Sequence, residues 1–170
     1  MGLLAWLGLQ RGDEYPNLDR LMKEVRRALP DDEAVVIRYI AIVVVLLGKV
    51  AWADGRFSEK EESNLRALLA HVDRITPSGV DAVCAMLRGT PPRMSEAETE
   101  LCFRELKALC DGRERMEVLR LLIHLAVADG AVSDSERNEL KSIADELGVT
   151  EAELLSVEQE IVASADKPAG

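Results

Sequence analysis

A chain of 170 residues with 48% apolar and 31% charged side chains has the balance of one soluble globular domain. Its formal net charge of −10 argues against a nucleic-acid binder, whose affinity would be driven by cationic side chains. Metal cations and basic protein partners remain compatible with that charge.

The first stretch, MGLLAWLGLQRGDEYP (residues 1–16), is an apolar lead. It lacks the basic residues that open a signal peptide, and Trp6 stands where a myristoylation pattern has Ser or Thr. Leu3, Leu4, Trp6 and Leu7 are its candidate contact residues. They are expected to dock on the chain's own domain, with a protein partner or peripheral association with a membrane surface as the alternatives. A single domain over residues 17–163 and a flexible tail over 164–170 complete the expected organisation.

Asn17 is placed to cap a first amphipathic helix carrying Leu18, Leu21, Met22, Val25 and Leu29, with Pro30 ending it. A Val- and Ile-rich segment follows, from about Glu33 to Ala53. Propensity alone allows a strand there. Its longest apolar run, YIAIVVVLL from Tyr39 to Leu47, is too short to cross a bilayer core of about 30 Å as a helix and reads as core.

A repeat settles the helix-or-strand question. The stretch AWADGRFSEKEESNL beginning at Ala51 returns as AVADGAVSDSERNEL beginning at Ala126, with seven of fifteen positions identical. The segment before the second copy, RMEVLRLLIHLAVA, is rich in Leu, Met and Ala with polar residues at helical spacing, so both copies are expected to be helices. Each is expected to stop at Asp-Gly, where glycine tolerates the left-handed conformation. Ser58-x-x-Glu61 and Ser133-x-x-Glu136 are capping boxes that open helices over Glu59–Val72 and Asp134–Leu147. Thr76-Pro77, Ser95 with Glu98, and Thr150 with Glu153 open three more, and Gly148 closes one. The expectation is an all-α compact bundle of about eight helices. Two pseudo-symmetric three-helix repeats, about 33–88 and 113–163, flank a bridging helix at 95–110.

The doubled carboxylates raise the question of a metal site. Ca²⁺ wants six to eight oxygens, and neither loop carries the ligand ladder of an EF-hand. Asp54, Glu61, Asp129 and Glu136 become a credible Ca²⁺ or Mg²⁺ site only if the fold brings the two corners together. The same residues are explained by helix capping, with acidic groups favoured at a helix N-terminus. Lys49 and His124, equivalent in the two copies, read as a polar stripe before they read as charge partners for the carboxylates. His71 complements a helix C-terminus, and Trp6 and Trp52 read as packing or docking anchors. Cys84, Cys102 and Cys110 have no C-x-x-C spacing and read as buried thiols in a reducing compartment. With no nucleophile motif, no phosphate loop and two histidines in dissimilar contexts, the chain is not expected to be an enzyme.

The doubled pattern of apolar helix, Ala-Asp-Gly, Ser and Glu resembles the TerB-like family, the tellurite-resistance-associated proteins whose relatives precede J-domains in some co-chaperones. The resemblance covers about residues 35–163. It implies a compact non-enzymatic helical module of the bacterial cytoplasm, often near the membrane, with a part in stress or toxic-anion response. An acidic interaction module that recruits protein partners in that response is the leading expectation. The resemblance also implies divalent-cation binding at Asp54, Glu61, Asp129 and Glu136.

Overall fold

A computed structural model of the protein describes residues 15–70, 76–89, 93–128, 130 and 132–165. Among the described residues there are eight helices and no strand. In chain order they are α1 (Pro16–Ala28), α2 (Ala34–Ala51), α3 (Glu59–Leu69), α4 (Pro77–Arg88), α5 (Glu96–Leu109), α6 (Gly112–Ala126), α7 (Asp134–Leu147) and α8 (Glu151–Ala165). The Val- and Ile-rich segment is therefore helical, as the repeat argued.

Every residue of α2 from Ile40 to Gly48 is buried. Successive residues turn by about 100°, so nine in a row face every direction and leave no solvent side. Such a helix has to be enclosed, and α1, α4, α5, α6 and α7 all pack on it. By length and composition α2 could cross a membrane, yet 67% of it is buried inside the fold. The second copy, α6, packs against α2, α3, α7 and α8. Leu119, Leu122, Ile123 and Leu125 of α6 meet Leu46 and Leu47 of α2 in one continuous core, which also takes in the three free cysteines. Burial, ahead of the nearby Glu105 and Glu98 charges, pushes the Cys102 thiol up to about 12, so it stays protonated.

The helix starts follow their local signals. Ser58, Ser95 and Ser133 form capping boxes with Glu61, Glu98 and Glu136, and Thr150 does so with Glu153. Thr76 accepts from the Gly79 amide ahead of Pro77. A further box, Asp111 with Glu114, starts α6 at Gly112, ahead of the apolar pattern that begins at Arg115. At the other end α2 stops at Ala51, short of Asp-Gly. Gly55, at φ 87°, closes an additional turn by donating to the Trp52 carbonyl at 3.0 Å. Gly130, at φ 93°, does the same to Val127 at 2.9 Å. Gly148 ends α7 at φ 75° as expected.

The start of α1 departs from expectation. Pro16 is its first residue, Tyr15 precedes it without a side-chain cap, and Asn17 lies inside the helix. Proline has no amide to satisfy, so the first free donors are those of Asn17 and Leu18. Both donate to Glu98 Oε1 of α5, at 2.8 and 3.1 Å. Glu98 Oε2 takes the Asn17 side-chain amide at 3.0 Å and its own cap amide, Ser95, at 2.7 Å. One fully buried carboxylate thus caps two helices.

Burial by itself raises the Glu98 pKa, but the Asn17 side-chain amide and the three backbone amides outweigh it and hold the value at about 2, below the ordinary 4.5. A depressed carboxyl pKa stabilises the fold fully above 4.5, and the contribution is lost as the pH falls towards 2. Glu98→Gln is expected to cost about 3 kcal/mol at pH 7, from the size of that shift. Urea unfolding of both proteins from pH 7 down to pH 3 should show the gap narrowing below about pH 4.5.

Candidate functional site

The two corners share a left-handed glycine and a capping box among the described residues. In the first, Asp54 Oδ1 accepts from the Arg56 amide at 3.1 Å, and Oδ2 pairs with the Arg56 guanidinium at 3.2 Å. Glu61 Oε2 accepts from the Ser58 amide at 2.6 Å, while Ser58 Oγ accepts from the Glu61 amide at 3.1 Å. In the second, the corresponding distances between Glu136 and Ser133 are 2.7 and 3.2 Å. Both glutamates are buried, at 5% and 7% exposure. Asp129 lies outside the described residues, as do His71 and the lead residues Leu3, Leu4, Trp6 and Leu7.

These carboxylates are already supplied with donors. A cation at Glu61 or Glu136 would have to displace a helix cap, and one at Asp54 would compete with Arg56. Among the described residues, no group of three or more His, Cys, Asp or Glu side chains is arranged to hold a metal ion.

The two copies touch crosswise. Lys49 of α2 pairs with Glu139 of α7 at 3.2 Å. The buried Oε2 of Glu139 has that ammonium as its charge partner without forming a hydrogen bond. Asn64 of α3 donates to the His124 carbonyl of α6 at 2.6 Å. The offset that carries Ala51 onto Ala126 also carries Lys49 onto His124 and Asn64 onto Glu139. Each contact is therefore the counterpart of the other, made with different chemistry. Lys49 serves the joint between α2 and α7 rather than Asp54 or Glu61.

Other polar groups fasten neighbouring helices. Glu62 of α3 accepts from Arg66 at 3.0 Å and takes a fork from Arg88 of α4, one arm at 2.8 Å. Arg66 also reaches Asp81. The Arg88 hydrogen bonds, working against burial and aided by Arg66, hold the Glu62 carboxyl below its usual range. Arg38 of α2 forks onto Glu105 of α5, with one arm at 2.6 Å. Trp52 packs against the core and donates its indole N–H to the Leu87 carbonyl at 2.8 Å, which anchors the end of α4.

A partly open cavity of about 370 Å³ lies between α2, α3, α4 and α6. Val43, Val44, Leu47, Leu68, Val83 and Leu121 supply much of its apolar lining, and Tyr39, Glu117, Arg120 and His124 its polar groups. The volume is at the lower end for small ligand pockets. Arg120 is also held by Glu160 of α8 at 3.0 Å. Burial, then the Arg120 charge, lowers the His124 pKa, so the imidazole is neutral at pH 7. Burial, then Cys110 and Glu114, raises that of Tyr39. Periodicity identified these residues as helical but gave no sign that four helices leave a gap between them.

A family model described as tellurite resistance protein TerB matches residues 40–159, from within α2 to within α8 and across both corners. No curated protein and no solved structure matches the chain.

Ser58→Ala and Ser133→Ala are each expected to cost about 1 kcal/mol, the worth of a side-chain N-cap. A β-carbon added at Gly55 or Gly130 would meet nothing within 4 Å, so the penalty there is backbone strain alone. Gly55→Ala and Gly130→Ala should each cost roughly 1–2 kcal/mol. Urea denaturation of the four variants measures both sets.

Proposed function

Since the chain belongs to the TerB family of tellurite-resistance proteins, we propose that it is a non-enzymatic helical module that recruits protein partners in resistance to tellurite-type stress. The observation that carries this reading is the family match over residues 40–159, which takes in both copies of the corner. Charge favours recruitment over direct capture of the toxic species: tellurite is an anion, and a chain of net charge −10 repels it. The buried carboxylates cap helices or pair with arginines, which is a stabilising use and not a catalytic one. Its place is the cytoplasm, with the membrane face as a site of recruitment. On the outer side of α8, Leu155 and Val162 are 47% and 41% exposed and seven residues apart, so they share one helix face on which a partner can rest.

The test is growth on tellurite of cells lacking this chain. Loss of the chain should lower the tolerated tellurite concentration several-fold, and the wild-type chain should restore it. Leu155→Ser/Val162→Ser should fold normally and fail to restore it. Unchanged tolerance on removing the chain would sink the proposal. The cation-binding reading has its own signature in thermal unfolding with Ca²⁺ or Mg²⁺. Binding to the native state would add about 2.7 kcal/mol at a hundredfold excess over Kd. A saturable rise that Asp54→Asn/Asp129→Asn removes would make the protein a cation-responsive module instead.

A further inference from the structure

We propose that the apolar lead, residues 1–9, docks over the cavity between α2, α3, α4 and α6 of its own domain and fills it with one or two of its large side chains. The segment MGLLAWLGL contains no charged side chain, and Leu3, Leu4, Trp6 and Leu7 gain by leaving water. The cavity offers a matching surface, with apolar lining from all four helices. The two formal charges on its lining, Glu117 and Arg120, are opposite in sign, so an apolar side chain entering it leaves no unbalanced charge behind.

Another stretch outside the described residues, 71–75, follows the lining residues Leu68 and Leu69 in sequence. It contains Asp73 and Arg74, whose burial in an apolar cavity would be costly. The lead is the better chemical match.

The lead is also on a short tether. Residues 10–14 tether it to Tyr15, at the start of α1, and α1 packs on α2 and α4, two of the cavity's four walls. Extended, five residues span about 17 Å. A tether this short holds the lead at an effective concentration in the millimolar range, which a second copy or a membrane surface has to outcompete.

A nitroxide on the lead tests the proposal directly. Cys84, Cys102 and Cys110 are buried with thiol pKa values pushed up, mainly by burial, so a cysteine introduced as Gly8→Cys is labelled selectively. In the full-length chain, the methyl signals of Val43, Val44, Leu47 and Leu121 should lose most of their intensity. Those of Leu101 and Ile143, on helices that do not line the cavity, should lose much less. Leu4→Ser/Trp6→Ser in the same labelled chain should restore the cavity signals. A second route is Leu121→Asp, which should release the lead from the cavity side. Uniform broadening, or none, overturns the proposal. So does broadening that persists in both variants, or that appears only when labelled and isotope-enriched copies are mixed, which would place the lead on a second copy.

Discussion

The constraint on which the rest of the fold depends is the all-round burial of α2. A helix with one apolar stripe can lie on a surface, but one with nine consecutive buried residues has to be surrounded. Five other helices therefore pack on it, and the remaining two, α3 and α8, reach the bundle through α4, α6 and α7. Fully burying a Val, Ile or Leu side chain is worth roughly 1.5–3 kcal/mol. The run from Ile40 to Leu47 accordingly makes a large, contiguous apolar contribution. Its β-branched residues are poor helix formers taken alone, so packing rather than propensity keeps α2 helical.

Carboxylates organise the joints around that core. Among the described residues, the four buried charged ones, Glu61, Glu62, Glu98 and Glu136, are all glutamates at the beginnings of helices. Three of them occupy the last position of a capping box, where backbone amides balance their charge. Hydrogen bonds to a charged acceptor are worth more than neutral ones, and an unsatisfied buried carboxylate would be costly. This explains how an acidic chain keeps these carboxylates buried. Glu98 goes furthest, because its donors come from two helices that are far apart in sequence.

For function, this means that the repeated Asp and Glu are mostly occupied, while the crosswise contacts of Lys49 with Glu139 and Asn64 with His124 hold the two copies of the corner unit against each other. Among the described residues, the bundle leaves a largely apolar cavity beside α2 and two exposed aliphatic side chains on the outer side of α8. The recruitment proposed above would use such surfaces rather than an assembled catalytic group. Their composition, with few net charges and aliphatic walls, favours apolar segments over ions.

The sequence by itself determined the helical class, most helix starts and the duplicated corner. Those signals are local: Ser58 and Glu61, or Thr150 and Glu153, lie three residues apart and find each other within one turn. It also led to a wrong cap at Asn17. The residue has the right type, but Pro16 starts the helix and the donors turn to a carboxylate 80 and 81 positions away. Tertiary structure alone decided that pairing, the Trp52 contact with Leu87 across 35 positions, and the Arg115 contact with the Leu147 carbonyl across 32. The cavity belongs to the same class. Each of its lining residues reads as an ordinary core position, and the space between them exists only because four helices of fixed length and crossing fail to close over it. Local hydrogen bonds are written within a few residues of sequence, whereas the distance between two helix surfaces depends on every other helix packed against them.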